Sequence, residues 1–309
     1  MNIRLPKCVT KIMARIKRNK KIAIKKQAGT EAIANNPYFE EGIPKLTYSI
    51  CCFLDVLGFS AQIMNPGKSR TGNELLNDFY TANNDALGIP NEFSKEGVLY
   101  SKTFSDNIFL AKPFNSIEDG KFTRANNGEE EFATMMYAIT NYQLEMALKG
   151  FFTRGGLTIG WLFLDDRSIF GSALIEAYEL ESKKALNPIV LCSAALKTQL
   201  DNQIQEYSGD ESPPHTNCLY VQEDGSYFLN YLSAAAQGDI IEHEKILLHK
   251  TLIEQEIIKN KSNPSVLSKY TWLAGYHNYF CELNSHLPGY SEDLIIQNYP
   301  SKYGNLLRK

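Results

Sequence analysis

Residues 48–54 read YSICCFL, an almost unbroken apolar run that ends at a lone carboxylate, Asp55. A run that dense predicts a strand buried on both faces. Leu75, Leu76, Phe79 and Tyr80 then fall on one stripe of a helix that ends near residue 84. Two short runs rich in β-branched and aromatic residues, 98–104 and 107–111, are parted only by Ser105 and Asp106, which predicts a tight hairpin with Asp106 at its tip. Phe132, Met135, Met136, Ile139, Tyr142 and Met146 repeat at helical spacing, with the methionines as core filler. A strand carrying Arg154 is predicted over 151–163, a turn at Asp165 and Asp166, a helix over 173–186 and a core strand over 189–192. Beyond a Gly/Ser/Pro-rich loop at 205–217, residues 220–232 add strand character. Two helices, 239–259 and 265–284, suggest an antiparallel hairpin packed on the sheet or on a second subunit.

This order predicts an α+β fold: an elaborated ferredoxin-like, mainly antiparallel sheet flanked by helices, plus a C-terminal helical extension. The chain divides into a basic arm and linker (1–44), a central domain (45–204) and the remaining strands with the helical hairpin (205–309).

Charge is distributed unevenly. The formal net charge is −3, yet residues 1–26 hold ten Lys or Arg and no acid, which leaves 22 of the 32 basic residues against 35 acidic ones in the body. Val9, Ile12, Met13 and Ile16 make the arm weakly amphipathic; it reads as an exposed arm, or one docked on its own body, ahead of a lipid or nucleic-acid ligand. No apolar run is long enough to span a bilayer and no signal peptide is evident, so a cytoplasmic protein without a membrane span or stable nucleic-acid partner is expected. The six cysteines lack metal-ligand spacing and fit reduced thiols; Cys51 and Cys52, adjacent in a strand, must face opposite ways. The five histidines show neither HxxxH nor HxxE.

Asp55 and Asp106 carry the candidate chemistry. A carboxylate ending a buried strand needs a cation or several donors, and Gly58 lets the backbone after it approach a bound group. A turn or helix cap is the plain alternative. If the hairpin pairs beside the first strand, the two acids converge and supply hard oxygen donors for Mg²⁺ or Mn²⁺ bridging substrate phosphates.

FLDVLGFS, KTFSDNIFLA, TRGGLTIGWLFLDD and RSIFGSALIEAYELES, in that order over about half the chain (46–192), resemble the catalytic domain of class III nucleotidyl cyclases. The wording is most similar to the bacterial pyrimidine cyclases of the Pycsar anti-phage defence system. This resemblance implies a homodimer that cyclises CTP to 3′,5′-cyclic CMP, or UTP to cyclic UMP, and releases pyrophosphate. It also implies two Mn²⁺ or Mg²⁺ ions per site, held by Asp55, Asp106 and the Val56 carbonyl. Phosphates would lie on the amides of Leu57, Gly58, Phe59 and Ser60, and the base near Lys102, Ser168 and Phe59. The diffusible product would act on a separate effector carrying a cyclic-nucleotide-binding domain.

Two departures stand out. The family's transition-state Asn and Arg, four and eight residues after Gly171, are Ile175 and Glu179 here. Arg154 is the first candidate to replace the Arg and Arg167 the second, while an ion pair with a strand-edge carboxylate is an equal reading of Arg154. A catalytically inactive nucleotide sensor stays open as a rival. Palm-type polymerases and diguanylate cyclases share the strand order, but no GGDEF hairpin or basic template groove is present.

Overall fold

A computed structural model describes residues 36–64, 71–95, 99–114, 117, 119–123, 127–207 and 211–301. The basic arm (1–35), parts of the expected loops and position 98 of the expected hairpin lie outside these residues. A small ribbon of β1 (Phe39–Glu40) and β2 (Ile43–Pro44) precedes the apolar run, which forms the ten-residue β3 (Thr47–Val56). Next come α1 (Phe59–Met64), α2 (Gly72–Ala86) and α3 (Gly88–Lys95). The start of α2 is fixed by a capping box: Glu74 N–H donates to the Thr71 hydroxyl, and Thr71 N–H to the Glu74 carboxylate.

The expected hairpin is β4 (Tyr100–Phe104) and β5 (Asn107–Pro113), joined through Ser105 and Asp106. Ser105 takes φ 56°, the left-handed backbone that a two-residue connection needs to match strand twist. After α4 (Glu129–Ala147) come β6 (Thr153–Leu164), β7 (Ile169–Phe170), α5 (Ser172–Glu179), a π-helical turn (Leu180–Lys184) and β8 (Val190–Cys192). The chain continues through α6 (Ala194–Glu206), β9 (Leu219–Val221) and β10 (Tyr227–Leu229) to α7 (His243–Lys259) and α8 (Pro264–Leu283).

The main sheet runs β4-β5-β3-β6-β8-β10-β9, with β7 added along β6. Its β6–β8 ladder is parallel and the others antiparallel, so the sheet is mixed where the sequence predicts a mainly antiparallel one. The cause is the helical crossover through α5, which returns the chain in the direction it left. The α+β class is otherwise as expected.

One face of the sheet, with Ile50, Cys52, Leu54, Leu110 and Leu157, packs on Phe132, Met135, Met136, Ile139, Tyr142 and Met146 of α4. All three methionines are fully buried. The opposite face, with Cys51 and Phe109, is covered by α5 through Ala173 and Ala177, so the two adjacent cysteines do face opposite ways. α7 and α8 share a third cluster with Phe152, Leu191, Tyr220 and Phe228 of their own chain. Inside it, Tyr231 meets His249 Nε2 at 2.7 Å, His249 Nδ1 meets His277 Nδ1 at 2.9 Å, and His277 Nε2 reaches the Leu294 carbonyl at 2.8 Å. Burial pushes His277 down to about 4, so both rings are neutral links in a hydrogen-bonded chain.

How closely α5 lies on β6 depends on Gly156. A Cβ there would sit 2.3 Å from the Ala177 carbonyl oxygen and 2.5 Å from Leu180 Cβ, backbone and side chain that cannot yield cheaply. Gly156→Ala is expected to cost about 1–3 kcal/mol by overpacking, read as a lower urea midpoint at unchanged slope.

Candidate functional site

The β3 register sets the centre of the site. Asp55 lies opposite Asn107 of β5 on one side and Arg154 of β6 on the other, so all three project to the face that α5 covers. Asp106 occupies the turn just before Asn107 and is 7% exposed, a buried carboxylate at a hairpin tip. The two expected acids are thus on adjoining strand ends.

A third acid joins them. Helix α5 does not run regularly to 186; its last turn widens into the π-helical segment, closed by Ala185 N–H donating to the Leu180 carbonyl at 2.8 Å. The wide turn brings Glu181, 4% exposed, to 2.7 Å from Arg154 Nη2. Arg154 also meets Asp55 Oδ2 at 3.5 Å through Nε and donates to the Ala185 carbonyl at 3.4 Å. Of the two readings of Arg154, the ion pair is therefore the one observed, with Glu181 the tighter partner. Glu181 is missing from the sequence-derived site, yet it leaves a trace: it falls at i+8 and i+4 from Ala173 and Ala177, an acid on an apolar stripe.

The charge balance leaves Asp55 undercompensated. Burial, followed by the repulsion of Glu181 and Asp106, raises its carboxyl to about 7 in spite of Arg154. Glu181 is raised too, chiefly by burial. Two carboxylates on one guanidinium, with Asp106 close enough to repel both, form a half-buried site with negative charge in excess, which a divalent cation would relieve. Among the described residues no three His, Cys, Asp or Glu side chains are placed so as to hold a metal ion together. Two carboxylates with open positions suit Mg²⁺ or Mn²⁺, which keep sites for phosphate oxygens and water. The donor set fits such an ion.

The remaining expected residues divide. Val56 ends β3 opposite Thr153. Leu57 cannot offer its amide to a phosphate as expected, because that N–H already donates to the Phe152 carbonyl at 2.8 Å. Gly58 has φ +74°, and the amides of Gly58, Phe59 and Ser60 make no hydrogen bond among the described residues. The Phe59 side chain is 5% exposed and packs on Phe79 and Phe151 at 4.5 and 6.2 Å between ring centroids; it is core, and the expected base contact is withdrawn.

Lys102 lines a cleft of about 870 Å³ between the β4–β5 hairpin and α5, together with Phe53, Asn107, Arg167, Ile175 and Tyr178. Ser168 is not in its wall: it is exposed, and its amide is tied to Asp165 Oδ1 at 2.7 Å. Glu179 is turned away as well, paired with Lys183 at 2.6 Å. None of the histidines reaches the acids; His215, His249 and His277 are buried. Among the described residues no helix is long and apolar enough to cross a membrane.

The raised Asp55 predicts a pH dependence. The metal-free folded state holds this proton more tightly than the unfolded chain, so stability rises as pH falls from about 7 towards 4 and is lost as pH climbs back. Asp55→Asn, neutral throughout, should flatten that slope. It should also raise the melting temperature at pH 8 by about 2–4 °C, the shift that ~1 kcal/mol gives in a domain of a few hundred residues. Thermal melts from pH 5 to 8 in a chelator measure both.

No protein-family model and no curated protein sequence matches the chain. Several solved structures are similar at low identity. The adenylyl cyclase CyaB from P. aeruginosa aligns with 51% of this chain and 82% of its own, at 14% identity and TM-score 0.40. The guanylyl cyclase domain of the RhoGC fusion protein from the aquatic fungus Blastocladiella emersonii aligns with 60% and 95%, at 14% and 0.37. A bacterial light-regulated adenylyl cyclase aligns with 69% and 99%, at 14% and 0.38. Likeness at this level says nothing about what this chain acts on.

Proposed function

We propose that the protein is a nucleotidyl cyclase that converts a pyrimidine nucleoside triphosphate, CTP ahead of UTP, to its 3′,5′-cyclic monophosphate and pyrophosphate. The observation that carries the reading is the convergence of Asp55 and Asp106 on adjoining strand ends, in a site with excess negative charge. In such a reaction the substrate's own 3′-hydroxyl attacks its α-phosphate, so the protein supplies charge and geometry in place of a nucleophile. Asp55, Asp106 and the Val56 carbonyl would hold two Mg²⁺ or Mn²⁺ ions, which when bound acidify the hydroxyl and neutralise the triphosphate. The amides of Gly58 to Ser60, which make no hydrogen bond among the described residues, would receive phosphate oxygens. Arg154, held at 2.7 Å by Glu181 and at 3.5 Å by Asp55, would present its positive charge beside the metal-binding acids, where the phosphate charge develops.

Lys102 presents a donor in the cleft beside this site. Cytosine offers a ring-nitrogen acceptor to such a donor, whereas uracil offers a ring N–H. The preference for CTP rests on this pairing. Phe104, Phe170, Ile175 and Tyr178, between 51% and 82% exposed, form an apolar surface around the cleft. Covering it with a second copy would complete the base pocket, in keeping with a homodimer. The product would then serve as a second messenger of a Pycsar anti-phage system, read by a separate effector with a cyclic-nucleotide-binding domain. Ile175 and Glu179 favour the second reading, a nucleotide sensor without turnover.

Incubating the protein with each nucleoside triphosphate and Mn²⁺, and identifying products by mass, separates these readings. Cyclic CMP is expected; a dominant cyclic AMP product would refute the pyrimidine assignment, and no cyclic product would favour the sensor. Asp55→Ala or Asp106→Ala should lower turnover by on the order of 10²–10³-fold or more, and the double variant little further. Lys102→Glu, which exchanges donor for acceptor, should shift preference from CTP towards UTP in equimolar competition. An unchanged ratio would remove Lys102 from base recognition.

A further inference from the structure

Two cross-strand rows lie side by side on the sheet face that α5 covers. In the first, Phe104, Asn107, Asp55 and Arg154 stand opposite one another across β4, β5, β3 and β6. In the second, two residues along each strand, Lys102, Phe109 and Phe53 do the same across β4, β5 and β3. Directly opposed side chains share a face and come within about 5 Å at Cβ, whereas positions two apart along a strand are separated by about 7 Å. Asp55 thus stands in one row and the lysine of the cleft in the next.

Asn107 belongs to both settings. It is the direct cross-strand neighbour of Asp55, and it lines the cleft with Phe53, Phe109 and Lys102. It is also out of character for a strand, where Asn is disfavoured. An Asn beside a hairpin turn is ordinarily explained by a hydrogen bond to the turn's own backbone. That explanation fails here, because the partly exposed Asn107 side chain makes no hydrogen bond among the described residues.

We propose that Asn107 binds the ribose 2′-hydroxyl of the nucleotide and makes the site selective for ribonucleotides. The inference rests on the cyclase reading and deepens it. With the phosphates at Asp55 and the base at Lys102, the sugar has to cross from one row to the next, and Asn107 is the cleft residue that adjoins Asp55. Its amide offers donors and an acceptor, which match a hydroxyl that is itself both, and it adds no charge beside the acids. Holding the 2′-hydroxyl also limits rotation of the sugar, so the adjacent 3′-hydroxyl stays turned towards the α-phosphate.

The test is equilibrium binding in Mn²⁺, by calorimetry, of α,β-methylene analogues of CTP and UTP, whose replaced Pα–O bond blocks turnover, beside their 2′-deoxy counterparts. The unaltered protein should bind the preferred ribonucleotide analogue about tenfold more tightly than its deoxy form, since the deoxy sugar leaves the amide unpaired. Asn107→Ala should abolish that preference by weakening the ribonucleotide about tenfold, with deoxy binding kept within about twofold. Asn107→Val, whose branched side chain suits a strand, makes the same prediction and carries the test if the Ala variant melts abnormally low. Equal binding of the two sugars by the unaltered protein would overturn the proposal, as would a preference that survives the substitution or an equal loss for both sugars. Failure of the unaltered protein to bind any of the four analogues would overturn the cyclase reading itself.

Discussion

A carboxylate at the end of a central strand, hemmed in by two neighbouring strands and a covering helix, sets the terms for this molecule. Asp55 is drawn from water by the ladder on either side, and its one guanidinium contact is 3.5 Å long and shared with a closer acid. Its carboxyl rises to about 7 in response, a strain on the folded state that a hydrophobic residue would avoid. Neighbouring features follow from the need to place charge here: the hairpin that tucks Asp106 alongside, the glycine that lets α5 close on β6, and the π-helical turn that delivers Glu181. Sites that hold negative charge in excess without a cation are poised to take one.

Much of this was legible in the sequence because it depends on local pattern. A seven-residue run, apolar but for Ser49, leads into Asp55 and marks β3, and the spacing about Ser105 and Asp106 marks the hairpin; both acids stand out because each interrupts an apolar context. What escaped depends on long-range placement or on irregular helices. Glu181 reaches Arg154 only because α5 changes its winding, which no 3.6-residue periodicity foretells. Helix α3 is disguised by Gly88 and Pro90, which read as turn residues. Phe59 looked available to a base, but the sheet and α2 surround it with aromatic rings. The Leu57 amide was already taken by a carbonyl almost a hundred residues away in sequence.

The C-terminal third shows the same division. Its two helices follow directly from apolar periodicity, yet their relation to the site comes from packing: Tyr270 on Phe152, and a buried chain of Tyr231, His249 and His277 that ties α7 to α8 and to the Leu294 carbonyl. Neutral imidazoles hold that chain without placing charge in the core. The hairpin is therefore firmly seated against the strand ends from which Asp55 and Arg154 project.

The central claim is that Asp55 and Asp106 together form a place for a divalent ion. Electron paramagnetic resonance of Mn²⁺ titrated into the purified protein tests it most directly, since bound ion is lost from the free aquo signal. The account predicts saturable binding to the unaltered protein that is abolished or severely weakened in both Asp55→Asn and Asp106→Asn. Binding undiminished in either variant, or none by the unaltered protein even with a triphosphate analogue present, would contradict it.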